Sequence, residues 1–190
     1  MKLEKILPFA RRLLKQAVNP GDIVIDATIG NGHDTVFLAN LVGASGKVYG
    51  FDIQELAIAA THERLKQQNL VEQVTLIHNS HEILKEVIPA TDYRKITGAI
   101  FNLGYLPGGD KSIVTKSKST LSAIKQLFEI MAPEGIIVLV IYHGHEGGSQ
   151  ERDELLNYCQ QLDQKQAHIL QYQFINQVNY PPFLIAIEKI

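Results

Sequence analysis

Val24-Ile25-Asp26-Ala27-Thr28-Ile29-Gly30-Asn31-Gly32-His33-Asp34-Thr35 decides the fold. Apolar β-branched residues run into Asp26, two glycines break the run, and Thr35-Val36-Phe37-Leu38-Ala39 resumes with helical character. The segment predicts a buried strand, a glycine turn and a helix start. Glycines let the backbone approach a ligand and take φ values that other residues resist. The helix N-terminus that follows carries N–H groups with no partner inside the helix. Thr28, Asn31, His33 and Asp34 complete the turn and are expected to contact the same ligand. Working outward, Lys47-Val48-Tyr49-Gly50-Phe51-Asp52 reads as a second strand ending in an acid, with Gln54 just beyond. An acid at a strand end about 20 positions after such a loop suits hydrogen bonds to ribose hydroxyls. Together the two segments predict an adenosine-containing cofactor.

The rest of the chain continues the alternation. Leu3, Ile6, Leu7, Ala10, Leu13, Leu14 and Ala17 recur at helical spacing, predicting an amphipathic helix over 3–18 that Asn19-Pro20-Gly21-Asp22 ends. Strands are expected at 22–27, 47–52, 73–78, 97–102 and 135–142. Helices are expected at 33–42, 54–69, 81–88, 118–131 and 150–162. Two apolar runs, 167–175 and 183–188, have no helix between them and suggest a terminal hairpin with one strand antiparallel to the rest. Alternating β and α elements with continuous apolar strands imply an α/β fold, its parallel sheet covered on both faces. A length of 190 residues suits one domain. It divides into an N-terminal helix (1–18), a cofactor core (22–142) and a substrate loop, last helix and hairpin (143–190). A single cysteine, Cys159, excludes an intrachain disulfide framework and fits a reducing cytoplasm. No signal peptide or membrane span is expected. The net charge of −2 argues against a general nucleic-acid binder but allows local basic patches.

Ligands of open parallel sheets sit at the carboxyl ends of the strands. Five segments place polar or glycine residues at that predicted edge: the loop at 30–34, Asp52 with Gln54, Asn79-Ser80-His81, Asn102-Leu103-Gly104-Tyr105 and Tyr142-His143-Gly144-His145-Glu146. The glycine loop lacks the third glycine of a dinucleotide fingerprint, because Thr35 stands in its place. Asp26 would repel a pyrophosphate but attract the ammonium of an amino-acid moiety. The expected cofactor is therefore S-adenosylmethionine rather than a nicotinamide, with Ser80 and His81 beside the adenine.

Asn102-Leu103-Gly104-Tyr105 resembles the Asn-Pro-Pro-Tyr type motif of methyltransferases that act on nitrogen, with Leu103 and Gly104 in place of the prolines. The Asn102 side-chain oxygen and the Leu103 carbonyl can accept the two N–H bonds of an amine and aim its lone pair. Tyr105 can pack on a flat base. An alkylamine has a pKa of about 10.4 and must lose a proton before reacting; a nearby cation and desolvation favour the neutral form. His143-Gly144-His145-Glu146-Gly147-Gly148 is expected to close over the acceptor, with Tyr142, His143 or His145 touching it. No metal is expected, because no second ligand cluster has matching spacing. Cys159 falls in a helix away from the edge, so a cysteine nucleophile for methylating a ring carbon is not expected.

The glycine loop, Asn102-Leu103-Gly104-Tyr105-Leu106-Pro107-Gly108-Gly109-Asp110-Lys111, His143–Gly148 and Asn176-Gln177-Val178-Asn179-Tyr180-Pro181-Pro182-Phe183 together resemble a small bacterial family labelled rRNA methylases. Its members are assigned as methyltransferases of tRNA 5-aminomethyl-2-thiouridine at the wobble position. The resemblance spans residues 5–189. It implies a class I, Rossmann-like fold with a seven-stranded, mostly parallel sheet, methyl transfer to a primary amine, and a tRNA anticodon loop as partner. Phosphate contacts would need local cations. The first helix (Lys2, Lys5, Arg11, Arg12, Lys15) and the segment with Lys111, Lys116 and Lys118 both qualify, the second leaving the predicted edge directly. Tyr142, Tyr180 and Phe183 can stack on an unpaired base. Asn176 and Gln177 can read a base edge, and Pro181-Pro182 would stiffen the approach. The residues alone leave open an rRNA substrate, a small amine or a protein side chain. A homodimer is expected only from the base rate of cytosolic enzymes.

Overall fold

A computed structural model describes residues 2–110 and 112–190. The elements run α1 (Ile6–Ala17), β1 (Ile23–Asp26), α2 (His33–Val42), β2 (Lys47–Asp52), α3 (Glu55–Gln67), β3 (Val74–His78), α4 (Leu84–Val87), β4 (Ile96–Leu103), α5 (Ser117–Ile130), β5 (Met131–Ile141), α6 (Gly148–Gln161), β6 (Ala167–Tyr172) and β7 (Phe183–Lys189). The strands form one seven-stranded sheet in the order β3-β2-β1-β4-β5-β7-β6. β1 to β5 are mutually parallel. β7 lies antiparallel between β5 and β6, as the adjacent apolar runs at the end of the chain predict.

Successive residues of a strand point to opposite faces, so a fully apolar strand needs cover on both. Ile25, Phe51, Phe101, Leu139 and Ile185 pack into one layer with Leu84 of α4, Ile124 of α5 and Leu155 of α6. Their neighbours Val24, Ile100, Val138 and Leu184 pack into the other with Leu14 of α1, Leu38 of α2 and Leu65 of α3. Apart from Ala167, β6 is exposed or half-buried, as befits an edge strand.

Most boundaries agree with the sequence reading to within two residues, and four elements depart further. α1 starts at Ile6, with Leu3 outside the buried stripe and 65% exposed. The expected helix over 81–88 is split: Ser80 Oγ accepts the Glu82 N–H and holds His81–Ile83 as a 3₁₀ turn before α4. β5 begins at Met131, because a bulge with Glu134 at φ 63° lets Met131 pair with Ile96 before the regular register resumes. The apolar run expected over 167–175 stops pairing at Tyr172.

The carboxyl ends of β1, β2, β3, β4 and β5 converge on one edge. The irregular segment after β4 returns over that edge and is pinned by a bridge between Tyr105 and Val114.

Candidate active site

A cavity of about 790 Å³ opens at this edge, and residues from all five predicted segments line it. One arm is built by the loop after β1. Gly30 N–H donates to one Asp52 oxygen at 2.9 Å, and Gln54 N–H donates to the other at 2.9 Å. Each oxygen keeps a lone pair for a hydroxyl donor. Gly32 precedes α2 at φ 75°, and a Cβ there would fall 2.5 Å from the Thr61 hydroxyl. Only glycine gives the loop this close approach to α3. Thr28, Asn31, His33, Asn79 and Ser80 complete this arm.

His81 sits deeper. Its Nδ1 lies 2.8 Å from the Ala27 carbonyl, so Nδ1 carries the hydrogen and Nε2 holds the lone pair. Burial lowers the pKa and keeps the ring neutral. Nε2 is buried with no partner among the described residues. It is an acceptor suited to an N–H donor on a ligand.

Asp26 departs from expectation. It is fully buried beneath the loop, accepts the Thr35 hydroxyl at 2.6 Å and the Thr28 N–H at 3.3 Å, and does not line the cavity. Burial, reinforced by the Asp34 charge, pushes its carboxyl up to about 7. Asp26, Gly32 and Thr35 shape the loop from below and do not line the cavity. The acid of this loop that faces the cavity is Asp34. One of its oxygens pairs with Arg11 at 2.7 Å, and the other accepts the Asn102 side-chain amide at 2.8 Å.

That contact fixes Asn102. A carboxylate only accepts, so the NH₂ group faces Asp34 and Oδ1 is left as an acceptor on the other side. The Asn102 backbone N–H donates to Thr28 Oγ1 at 2.7 Å, tying β4 to the cofactor loop. The Leu103 side chain is buried; its carbonyl accepts the Tyr142 N–H at 3.0 Å and keeps a second lone pair at the cavity. Asn102 is the side-chain acceptor of this motif that a partner orients.

The second arm is closed by three segments. Tyr105, Leu106, Pro107, Thr115 and Lys116 come from the segment after β4, and Tyr142, Gly144, His145 and Tyr180 from the other side. Thr115 anchors the first loop. It accepts the Gly104 N–H at 2.9 Å and donates to Glu151 of α6 at 2.7 Å, while Thr120 donates to the other Glu151 oxygen at 3.1 Å. Burial raises the Glu151 pKa against these two bonds. Asn31 reaches across to the Pro107 carbonyl at 3.3 Å and joins the arms. Sequence reasoning missed Arg11 as a site residue, Thr115 and Glu151. Glu151 reads locally as an ordinary acid in a first helical turn, and nothing in its neighbours signals a partner 36 positions away.

Several predicted substrate residues do not line the cavity. His143 is buried edge-on against Tyr180 and Phe183, at 5.9 and 5.7 Å between ring centres. Asn176 and Gln177 are exposed on the turn before β7, Pro182 is half-buried, and Lys118 is exposed on α5. Lys111 lies outside the described residues. On α1, Arg11 and Arg12 are committed to Asp34 and Glu4. Cys159 is buried in α6, and burial pushes its thiol up to about 11, which makes it a poor nucleophile at neutral pH. Among the described residues no cluster of three His, Cys, Asp or Glu side chains has metal-binding geometry, and no helix is long and apolar enough to cross a membrane.

Residues 48–188 match the family described as "Putative rRNA methylase". A crystal structure of a protein of the same description from Clostridium thermocellum is 42% identical, covers all of both chains and superimposes with a TM-score of 0.95. A Streptococcus mutans protein, crystallised in complex with SAH (S-adenosylhomocysteine), is 39% identical over 99% of each chain, with a TM-score of 0.90. The Arabidopsis thaliana protein named "tRNA (mnm(5)s(2)U34)-methyltransferase, chloroplastic" is 42% identical over 156 residues, which are 78% of this chain and 56% of that protein. The chain thus spans about half the length of this curated relative. With the matched segment running from β2 to the last strand, and whole-chain likeness to solved members, the chain belongs to the rRNA methylase family.

Proposed function

We propose that the protein is an S-adenosylmethionine-dependent methyltransferase acting on the primary amine of 5-aminomethyl-2-thiouridine at the wobble position of tRNA. The observation that carries this reading is the Asn102 amide, held by Asp34 so that its oxygen is presented beside a cavity whose other arm suits an adenosine. Asp52 offers ribose two charged acceptors, and the orphaned Nε2 of His81 offers an acceptor to an N–H donor such as an adenine amine. The residues therefore fit the cofactor. When bound, it supplies an electrophilic methyl group. Asn102 Oδ1 accepts an N–H of the acceptor amine and turns its lone pair toward that methyl, a positioning effect that lowers the entropic part of the barrier. Tyr105, Tyr142 and Tyr180, each partly exposed at the rim, provide faces for an unpaired base.

The Arabidopsis relative's name supports the wobble nucleoside, whereas the family description points to rRNA. For phosphate contacts the segment around Lys111, Lys116 and Lys118 is favoured over α1, since Arg11 and Arg12 are already paired within the protein. The test is transfer of labelled methyl from S-adenosylmethionine to tRNA bearing the unmethylated aminomethyl wobble nucleoside, with nucleosides resolved by mass spectrometry. One added methyl on that nucleoside is expected. No transfer there, with the cofactor bound, discards the tRNA reading and turns the search to rRNA and small amines. RNA capture should also weaken steeply with salt, unlike capture of a small amine.

A further inference from the structure

Three histidine nitrogens are buried without a hydrogen-bond partner among the described residues: His81 Nε2, His143 Nδ1 and His145 Nε2. The first belongs to the cofactor arm. The second lies in the packing between Tyr180 and Phe183. The third lines the acceptor arm, and nothing in the site described so far employs it. We infer that His145 Nε2 takes the proton that the acceptor ammonium must lose before methylation. This inference rests on the reading of the site as an amine methyltransferase.

The ring is set for that task. His145 Nδ1 lies 2.9 Å from the Glu146 carbonyl, which can only accept, so Nδ1 carries the hydrogen and Nε2 of the neutral ring carries the lone pair. Nε2 lies 3.8 Å from where a Cβ on Gly104 would stand, and Tyr142 Cβ lies 3.3 Å from the same point. Gly104 has φ 151°, so a side chain there would be strained and would crowd both residues. Gly104 is two positions from Asn102, a backbone reach of about 7 Å at most. The base and the residue that orients the amine line the same cavity. The imidazole also meets Tyr105 edge-on at 6.1 Å between ring centres. Glu151 of α6 and His143 of the same loop are the titratable groups coupled to it electrostatically.

The proton count closes. One N–H bond of the ammonium breaks as its proton passes to Nε2, leaving a lone pair on nitrogen. That pair forms the new N–C bond as the C–S bond of the sulfonium breaks and its electrons remain on sulfur. The product leaves as a secondary ammonium, and the imidazolium releases its proton to solvent.

The experiment compares wild type, His145→Gln and His145→Ala on tRNA bearing the aminomethyl wobble nucleoside, from about pH 6 to about pH 11, a range that spans the ordinary imidazole and alkylamine values. Affinities for S-adenosylhomocysteine and for the RNA are measured alongside. At neutral pH both variants should lose about 100-fold in kcat, the usual contribution of a positioned base, with both affinities retained. The deficit should close as pH rises toward the amine's own pKa of about 10.4, because solvent then supplies the neutral amine. A deficit that stays constant with pH, no deficit, or a loss that follows weakened binding would each overturn the role of His145. No transfer by wild type with cofactor bound is a separate result: it removes the amine reading, and this inference with it.

Discussion

The two arms of the cavity are built by different means. The cofactor arm is made of strand ends and one glycine loop. Its contacts are backbone N–H groups on carboxylates, such as Gly30 and Gln54 on Asp52, at the ends of adjacent strands that the sheet itself brings together. The acceptor arm is made of loops held by side chains from distant helices, with Thr115 on Glu151 and Asn102 on Asp34, itself paired with Arg11. Backbone contacts survive most substitutions of their own side chains, whereas an arm tethered by side chains can be released by a single change. The cofactor arm should therefore fail by losing affinity, and the acceptor arm by losing alignment while affinity for cofactor persists.

The sharpest way to break the comparison is Asn102→Ala. It removes the oriented acceptor and leaves Asp34 one donor short. We expect turnover to fall about 1,000-fold, the scale of losing a preorganised contact to the reacting group, with S-adenosylhomocysteine affinity unchanged by calorimetry. Turnover near wild type would remove Asn102 from the chemistry.

Asp26 tests the foundation of the cofactor arm. A carboxyl raised from 3.8 to about 7 on folding binds its proton more tightly in the native state. Between these values the native protein holds more protons than the unfolded chain, so stability falls as pH rises through that window. The group's share is about 4 kcal/mol at most. Asp26→Asn should flatten this slope in urea unfolding measured from about pH 4 to about pH 8. An unchanged slope would show that the carboxyl titrates normally.

Asp52→Ala strips two backbone donors and the ribose of a charged acceptor. We expect S-adenosylhomocysteine affinity to fall about 30-fold, matching about 2 kcal/mol for hydrogen bonds to a charged group, whereas RNA affinity should hold. Equal loss of both would mean that the arms are not independent.

The smallest effect is expected from Thr115→Val. It keeps the shape but cuts the link from Gly104 to Glu151. KM for RNA should rise about fivefold, in line with about 1 kcal/mol per neutral hydrogen bond, with cofactor affinity intact. A fall in cofactor affinity instead would show that the loop is part of the first arm.

The sequence by itself determined the βα alternation, the antiparallel hairpin at the end, the glycine loop, Asp52 at its strand end and Asn102 at the edge. These are legible because each depends on local chemistry: apolar period, turn glycines and the rule that parallel strands point their carboxyl ends the same way. Tertiary structure alone decided that His143 turns into the packing while His145, two residues on, lines the cavity. It decided that Asp26 supports the loop from beneath while Asp34 faces the site. It also brought Arg11 to Asp34 across 23 positions and Thr115 to Glu151 across 36. Such pairings carry no local signal, because the partner of a buried polar group is chosen by which elements the packed core brings within hydrogen-bond reach, after the strand and helix pattern has been satisfied.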